Sequence, residues 1–255
     1  MIGSPWLVAI ALNSILAAIA WVAPKKLLTT AGLVHAWALG ILVWGTLGWA
    51  GYSVIMAYFL LGSAVTRVGF AEKEAAGIAE KRSGARGPEN VWGSAFAATL
   101  CALGIWGIAL TQPSGAAPWT AALLLGYVAS LSTKLSDTCA SEIGKAYGKR
   151  TFLITTLQPA PAGTEGAVSL EGTLAGVVAS FALALLAWAL GLISGVGVMI
   201  CGIAAFVATN LESLIGATIQ EQVDWLTNEV VNVINTLIGA AVAIVLVLLY
   251  NQLPM

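Results

Sequence analysis

Charge is confined to four short stretches of this chain, and long uncharged apolar runs separate them. All 23 charged residues fall at Lys25 and Lys26, Arg67 through Glu89, Lys134 through Glu171, and Glu212 through Glu229. Runs of about 20 apolar residues are what the hydrocarbon core of a bilayer requires of a helix. There the backbone must satisfy its own hydrogen bonds, so helices are the natural outcome. Composition agrees, with 59% hydrophobic residues, only 9% charged and a mean hydropathy of +0.91, outside the range of a soluble domain. The expected fold is all-α, a polytopic membrane helix bundle forming a single embedded domain over residues 1–255 with no soluble module.

Eight apolar runs qualify as spans, near 5–23, 28–46, 48–65, 92–110, 117–135, 172–190, 193–210 and 231–250. Two of them are short and rich in glycine, so seven crossings remain an alternative. The opening run lacks a positive leader and is too long for a cleaved signal, so it reads as the first span. When sides are alternated from there, all four charged clusters land on one face of the membrane. The uncharged connections near Gly48, Thr111–Pro118 and Gly191–Ser194 land on the other. All eleven Lys and Arg share the charged face, so the positive-inside rule makes it cytoplasmic and puts both termini on the opposite side. The polar segments 66–91, 134–171 and 211–230 are then cytoplasmic loops that form the site.

Several features have structural explanations. Trp6, Trp21, Trp44, Trp49, Trp92 and Trp119 cluster near span ends, as an aromatic belt does. Gly172 and Gly176 form a GxxxG that suits close helix contact. Cys101, Cys139 and Cys201 lack metal-ligand or paired spacing and read as small buried residues. His35, the single histidine, lies within a span with no acidic neighbour and reads as packed.

The one-sided polarity argues against a transporter, which must offer polar groups across the whole membrane. It favours chemistry on a lipid with a water-soluble cosubstrate. Ser130, Lys134, Asp137 and Ser141 recur at helical spacing along one stripe. Glu142 lies about 140° round the helix from Asp137, so the two do not aim at one ion unless the helix bends. Pro159, Pro161, Gly163 and Gly166 then break helical structure ahead of Gly172 and Thr173, a loop and helix N-terminus suited to a phosphate. A connector without ligand is the alternative there, and the P-loop pattern is absent. Arg67 and Arg86, each beside a glycine, suit phosphate better than Lys81 and Arg82, which orientation alone explains. Glu221, Asp224, Asn228, Asn232 and Asn235 fall on one helical face, with Glu212 and Asn210 at the preceding span's end. That face should turn to the site or to interhelical hydrogen bonds. Acids able to hold Mg²⁺ beside bases able to neutralise phosphate point to a membrane phosphotransferase or nucleotidyltransferase.

The segments "SDTCASEIGK", "GTEGAVSLEGTLAG", "NLESLIGATIQ" and "NEVVNVINTLIGA" resemble, in order, the transmembrane-protein-19 family, which includes phytyl-phosphate kinases of plants and cyanobacteria. A more distant likeness, an acidic segment, a basic "GK" and an "EGT" loop, is to CTP-dependent polyprenol kinases and phosphatidate cytidylyltransferases. The resemblance implies a kinase that moves the γ-phosphoryl of CTP, or another nucleoside triphosphate, onto an isoprenyl monophosphate such as phytyl phosphate. The product would serve tocopherol or phylloquinone synthesis. It makes Asp137, Glu142 and Glu212 the metal centre, with Lys145 a catalytic contact to the triphosphate. Gly163, Thr164, Glu165, Gly166, Ser169, Glu171, Gly172 and Thr173 become the nucleotide loop, with Ser141, Lys149, Asn228 and Asn232 beside it. Arg67, Lys73 and Arg86 are assigned to offset the repulsion between two anionic reactants. The implied partners are Mg²⁺, a nucleotide and a membrane lipid in a plasma or thylakoid membrane, with no nucleic acid and a homodimer left open. The alternatives are a cytidylyltransferase, a kinase of another lipid alcohol, and a transporter.

Overall fold

Without water to bond to, each apolar run closes its amides into a helix. The computed structural model describes residues 4–112 and 114–252, and the side chains of Lys81 and Glu221 lie outside what is described. Its helices are α1 (Pro5–Val22), α2 (Thr30–Val65), α3 (Phe70–Ala75), α4 (Pro88–Thr111), α5 (Ala117–Tyr147), α6 (Leu170–Ala189), α7 (Gly195–Thr218) and α8 (Asn228–Tyr250). Proline opens the first turn of α1, α4 and α5, where its missing N–H costs nothing. Thr29, Ser169, Ser194 and Thr227 cap α2, α6, α7 and α8 by accepting a hydrogen bond from an amide three residues on.

Helix α2 is a hairpin. At Gly48 the backbone takes φ 66° and ψ −163°, a conformation that favours glycine. If straight, the helix would hold Thr29 and Tyr58 about 43 Å apart at 1.5 Å per residue. Yet the Thr29 amide donates to the carbonyl of Arg86 (3.0 Å), and the Arg86 guanidinium donates to the Tyr58 hydroxyl (2.8 Å). The chain therefore reverses at Gly48, with Trp44 and Tyr52 edge to face at 5.2 Å across the bend. Among the described residues, six helices are long and apolar enough to cross a bilayer. The hairpin gives α2 two crossings and α5 supplies another, so eight crossings match the eight apolar runs.

Helix α5 is the central post, packed against α2, α4, α6, α7 and α8. Its hydroxyls and charges tolerate burial because neighbouring helices, not lipid, surround it. Asp137 lies about 30 Å along the axis from Ala117, the thickness of the hydrocarbon core, so the last turns of α5 project into the polar end. Helix α6 approaches α5 closely at Gly172 and Gly176, which face the carbonyls of Ala140 and Ser136. Gly176→Leu should drive these helices apart, cost about 1–3 kcal/mol as overpacking does, and lower the melting temperature in detergent. Gly107→Leu, at a glycine with open space beside it, should leave the melting temperature unchanged.

The non-helical stretch around Pro159–Gly166 is flanked by β1 (Thr151–Leu153) and β2 (Ala167–Ser169), which pair antiparallel with Thr151 opposite Ser169. One local expectation changes: the helical face expected from Glu221 to Asn235 does not run unbroken. Helix α7 ends at Thr218, a 3₁₀ turn covers Gln220–Gln222, and α8 begins only after the Thr227 cap. A capping threonine and the short polar Gln-Glu-Gln segment divert the backbone there, so Asp224 is exposed rather than aligned with Asn228.

Candidate active site

The charged segments meet at one end of the bundle around a cavity of about 620 Å³. Its floor is α5. Lys134, buried between helices, donates to Asp137 Oδ2 (2.5 Å) and to Asn232 Oδ1 on α8 (2.7 Å). One cation thus ties the acidic turn of α5 to the amide face of α8. A buried charge is tolerated only when paired and hydrogen-bonded, and this network supplies both. Glu212, on α7, lies beside Asp137, with Lys134 and Glu165 also in electrostatic range.

The loop from Gly163 through Ser169 forms the opposing wall, with Thr173 on α6, and Asn228 and Asn232 on α8. Gly166, at φ 72°, presses against the Ser213 carbonyl and Ala217 of α7, a fit that a side chain would prevent. Arg86 forms part of the rim. Its guanidinium is fixed by the Tyr58 hydroxyl and sits 5.6 Å from the Tyr58 ring centre and 6.0 Å from that of Phe59. Its main chain is fixed as well, with the Arg86 amide donating to Leu27 and its carbonyl accepting from Thr29, both at 3.0 Å. Ser141, Glu142, Lys145, Thr164, Glu165 and Ser213 also line the cavity.

Some expected site residues are placed differently. Arg67 turns away, donating to the Lys26 carbonyl at 3.2 Å. Lys73 is 1% exposed and donates to the Thr66 carbonyl (2.9 Å) and to the Glu142 carboxylate. A lysine so enclosed presents no surface to a phosphate in the cavity, so Lys73 braces α3 against α5. Glu142 correspondingly faces two lysines, Lys73 and, at 3.9 Å, Lys145. It lies on the cavity wall, but its charge is engaged by cations, as its angular separation from Asp137 requires. Lys149 is exposed and does not line the cavity. Glu171 does not line it either, and Gly172 serves the α5–α6 contact. Ser169 reaches the cavity while its hydroxyl caps α6, accepting from the Gly172 amide at 3.1 Å.

Other cavity residues had no assigned role. Lys134 shares a stripe with Asp137 in the sequence, which placed it but did not reveal its bond to Asn232. Arg82, Asn90, Ser94, Thr209 and Glu229 also line the cavity. No sequence pattern singles out Asn90, Ser94 or Thr209. His35 is packed as expected, its Nδ1 accepting from Trp92 Nε1 at 2.9 Å. The three cysteines are free and buried.

Among the described residues no three carboxylate, thiol or imidazole groups form a metal cage. Asp137 and Glu212 offer two adjacent carboxylates, the donor set suited to Mg²⁺ that completes its shell with phosphate oxygens and water. Lys134, Lys145 and Arg86 supply positive charge around them.

The profile of the integral membrane protein family DUF92 matches residues 13–240. The chain is 66% identical to the uncharacterized membrane protein sll0875 of Synechocystis, over 94% of this chain and 90% of that protein. It is 48% identical to the chloroplastic protein VTE6 of Arabidopsis thaliana, over 86% of this chain and 65% of that protein. It is 30% identical to the uncharacterized membrane protein MJ0933 of Methanocaldococcus jannaschii, over 87% of each. No solved structure matches it.

Proposed function

This chain belongs to the DUF92 family of integral membrane proteins, and from that premise we propose that it is a lipid kinase. It moves the γ-phosphoryl of CTP, or of another nucleoside triphosphate, onto an isoprenyl monophosphate such as phytyl phosphate. The product is a prenyl diphosphate of the kind used for tocopherol and phylloquinone. One observation carries this reading: groups from three sequence-distant charged segments, Arg86, the Lys134–Asp137 pair and Glu212, line one cavity at the end of a membrane bundle. The resemblance of the motifs around Asp137, Gly163–Thr173 and Asn228 to phytyl-phosphate kinases supports it independently.

The acceptor already bears an ionised phosphate, so its oxygen needs no general base. What opposes reaction is repulsion between two polyanions, and phosphoryl transfer is catalysed mainly by positioning and charge neutralisation. Arg86, with its guanidinium held by Tyr58, presents a fixed planar donor to phosphate oxygens. Lys145 offers a mobile ammonium on the same wall. Asp137 and Glu212 are the residues that would hold a divalent ion, which when bound neutralises triphosphate charge. The loop Gly163–Ser169 brings backbone close to the nucleotide, and Asn228 at the start of α8 offers an amide on the opposite side. Lys134 holds Asp137 in place through its hydrogen bond.

The test is label transfer by purified protein with Mg²⁺ and geranylgeranyl or phytyl monophosphate. With CTP labelled at the γ position, label should appear in a prenyl diphosphate; with CTP labelled at the α position, the lipid should stay unlabelled. Label from the α position in the lipid would identify a cytidylyltransferase instead. Phosphorylation of the free alcohol but not its monophosphate would also overturn the assignment.

A further inference from the structure

Around most of the cavity the helical wall is polar, with Ser94 on α4, Ser136 and Asp137 on α5, and Asn228 and Asn232 on α8. One sector differs. Val177 on α6 and Phe206 on α7 line the same cavity as Asp137, and Phe206 is 48% exposed on a helix long and apolar enough to cross a bilayer. The two helices run antiparallel and pack together. Below these residues the Phe181 ring lies against Gly202 and leaves no room for a side chain. Val177 and Phe206 stand one turn nearer the polar end, and Thr173 and Asn210 one turn nearer still. The seam is thus closed at Phe181 and lined by cavity residues above it, over a depth of about 12 Å from Thr173 to Phe181 at 1.5 Å per residue.

Polarity along this seam is graded. Thr173, Asn210 and Ser213 are polar, Val177 and Phe206 apolar, and the order follows depth. Thr209 also lines it, and its hydroxyl is buried with no hydrogen-bond partner among the described residues.

We propose that the α6–α7 seam is a lateral port for the acceptor's hydrocarbon tail. The tail rests between Val177 and Phe206, while the phosphate it carries reaches the Asp137 cavity past Thr209. This rests on the lipid-kinase reading above and names how the lipid enters. Closure at Phe181 limits the contact to the isoprene units nearest the phosphate, and the rest of the tail lies in the bilayer. The port therefore selects for the head-proximal part of the acceptor and is indifferent to total chain length.

The test uses a geranylgeranyl monophosphate carrying a diazirine in its first isoprene unit, incorporated in vesicles with the intact protein. After irradiation, labelled peptides should come from α6 around Val177 and α7 around Phe206, and unlabelled geranylgeranyl monophosphate should suppress them. Labelling confined to other helices overturns the port. A kinetic arm uses Val177→Trp, which fills the seam. KM for geranylgeranyl monophosphate should rise about tenfold, a loss of roughly 1.4 kcal/mol in binding. KM for geranyl monophosphate, which shares the head-proximal isoprene units, should rise by a similar factor, and KM for the nucleotide should not change. An equal rise in KM for the nucleotide overturns the port, because the substitution would then act on the site as a whole. Competed labelling at α6 and α7 by a protein inert towards every acceptor would keep the port and sink the kinase assignment alone.

Discussion

Asp137→Asn will lower turnover by at least about a thousandfold, the scale on which removing one preorganised charge contact acts in group-transfer sites. The change is nearly isosteric. Asn keeps an oxygen able to accept from Lys134, so the network with Asn232 retains its geometry. What disappears is a negative charge next to Glu212, and with it one of the two carboxylates placed to hold a divalent ion. The buried ammonium of Lys134 keeps Glu212 within electrostatic range, so the variant should insert, purify and melt close to the parent protein. Turnover measured over a Mg²⁺ titration is the decisive reading. Activity within about tenfold of the parent at saturating Mg²⁺ would remove Asp137 from the reaction, since a required charge contact is worth more than that.

Lys73→Ala will act on stability instead. The Lys73–Glu142 pair is almost wholly enclosed, with side chains 1% and 3% exposed. Removing one member of a buried pair leaves an uncompensated charge and typically costs about 3–5 kcal/mol. Lys145 is 3.9 Å from the other oxygen of Glu142 and offsets part of that, so the lower end is expected. Thermal unfolding in detergent measures it. Replacing both members, Lys73→Met with Glu142→Leu, should recover much of the lost stability, because two matched apolar side chains carry no unpaired charge. If Lys73 instead contacted phosphate, Lys73→Ala would raise KM for the nucleotide at unchanged melting temperature. That outcome would return it to the site.

Much of the architecture is legible because hydrocarbon imposes a simple rule on sequence. A charge-free run must be a helix in the bilayer, and a charged segment must leave it, so counting runs yields eight crossings and the convergence of charge at one end. The reversal at Gly48 is legible as a short uncharged connection, though not its geometry, which depends on one positive φ. Partner choice was not legible. Arg67, Lys73 and Arg86 look alike in sequence, each a base near the membrane edge. Only the fold reveals that Arg67 meets a carbonyl, Lys73 a carboxylate, and Arg86 a tyrosine beside the cavity. Lys134 illustrates the same limit from the other side. Its spacing to Asp137 is local and visible, whereas its bond to Asn232 joins two distant helices. Periodicity also misled at residues 219–227, where a capping threonine interrupts a helical pattern that otherwise continues into α8.

The main-chain link between Leu27–Thr29 and Arg86 has a consequence for biogenesis. During synthesis α1 and the α2 hairpin emerge from the ribosome before Arg86 does, so the short strap at Leu28 waits with the Thr29 amide and the Leu27 carbonyl open. It is sealed only when the segment before α4 arrives and clips onto it. The earliest-made part of the chain thereby anchors the guanidinium that the cavity uses. Nascent chains halted before residue 86 should leave the Thr29 amide unprotected from hydrogen exchange, with protection appearing once the segment carrying Arg86 emerges.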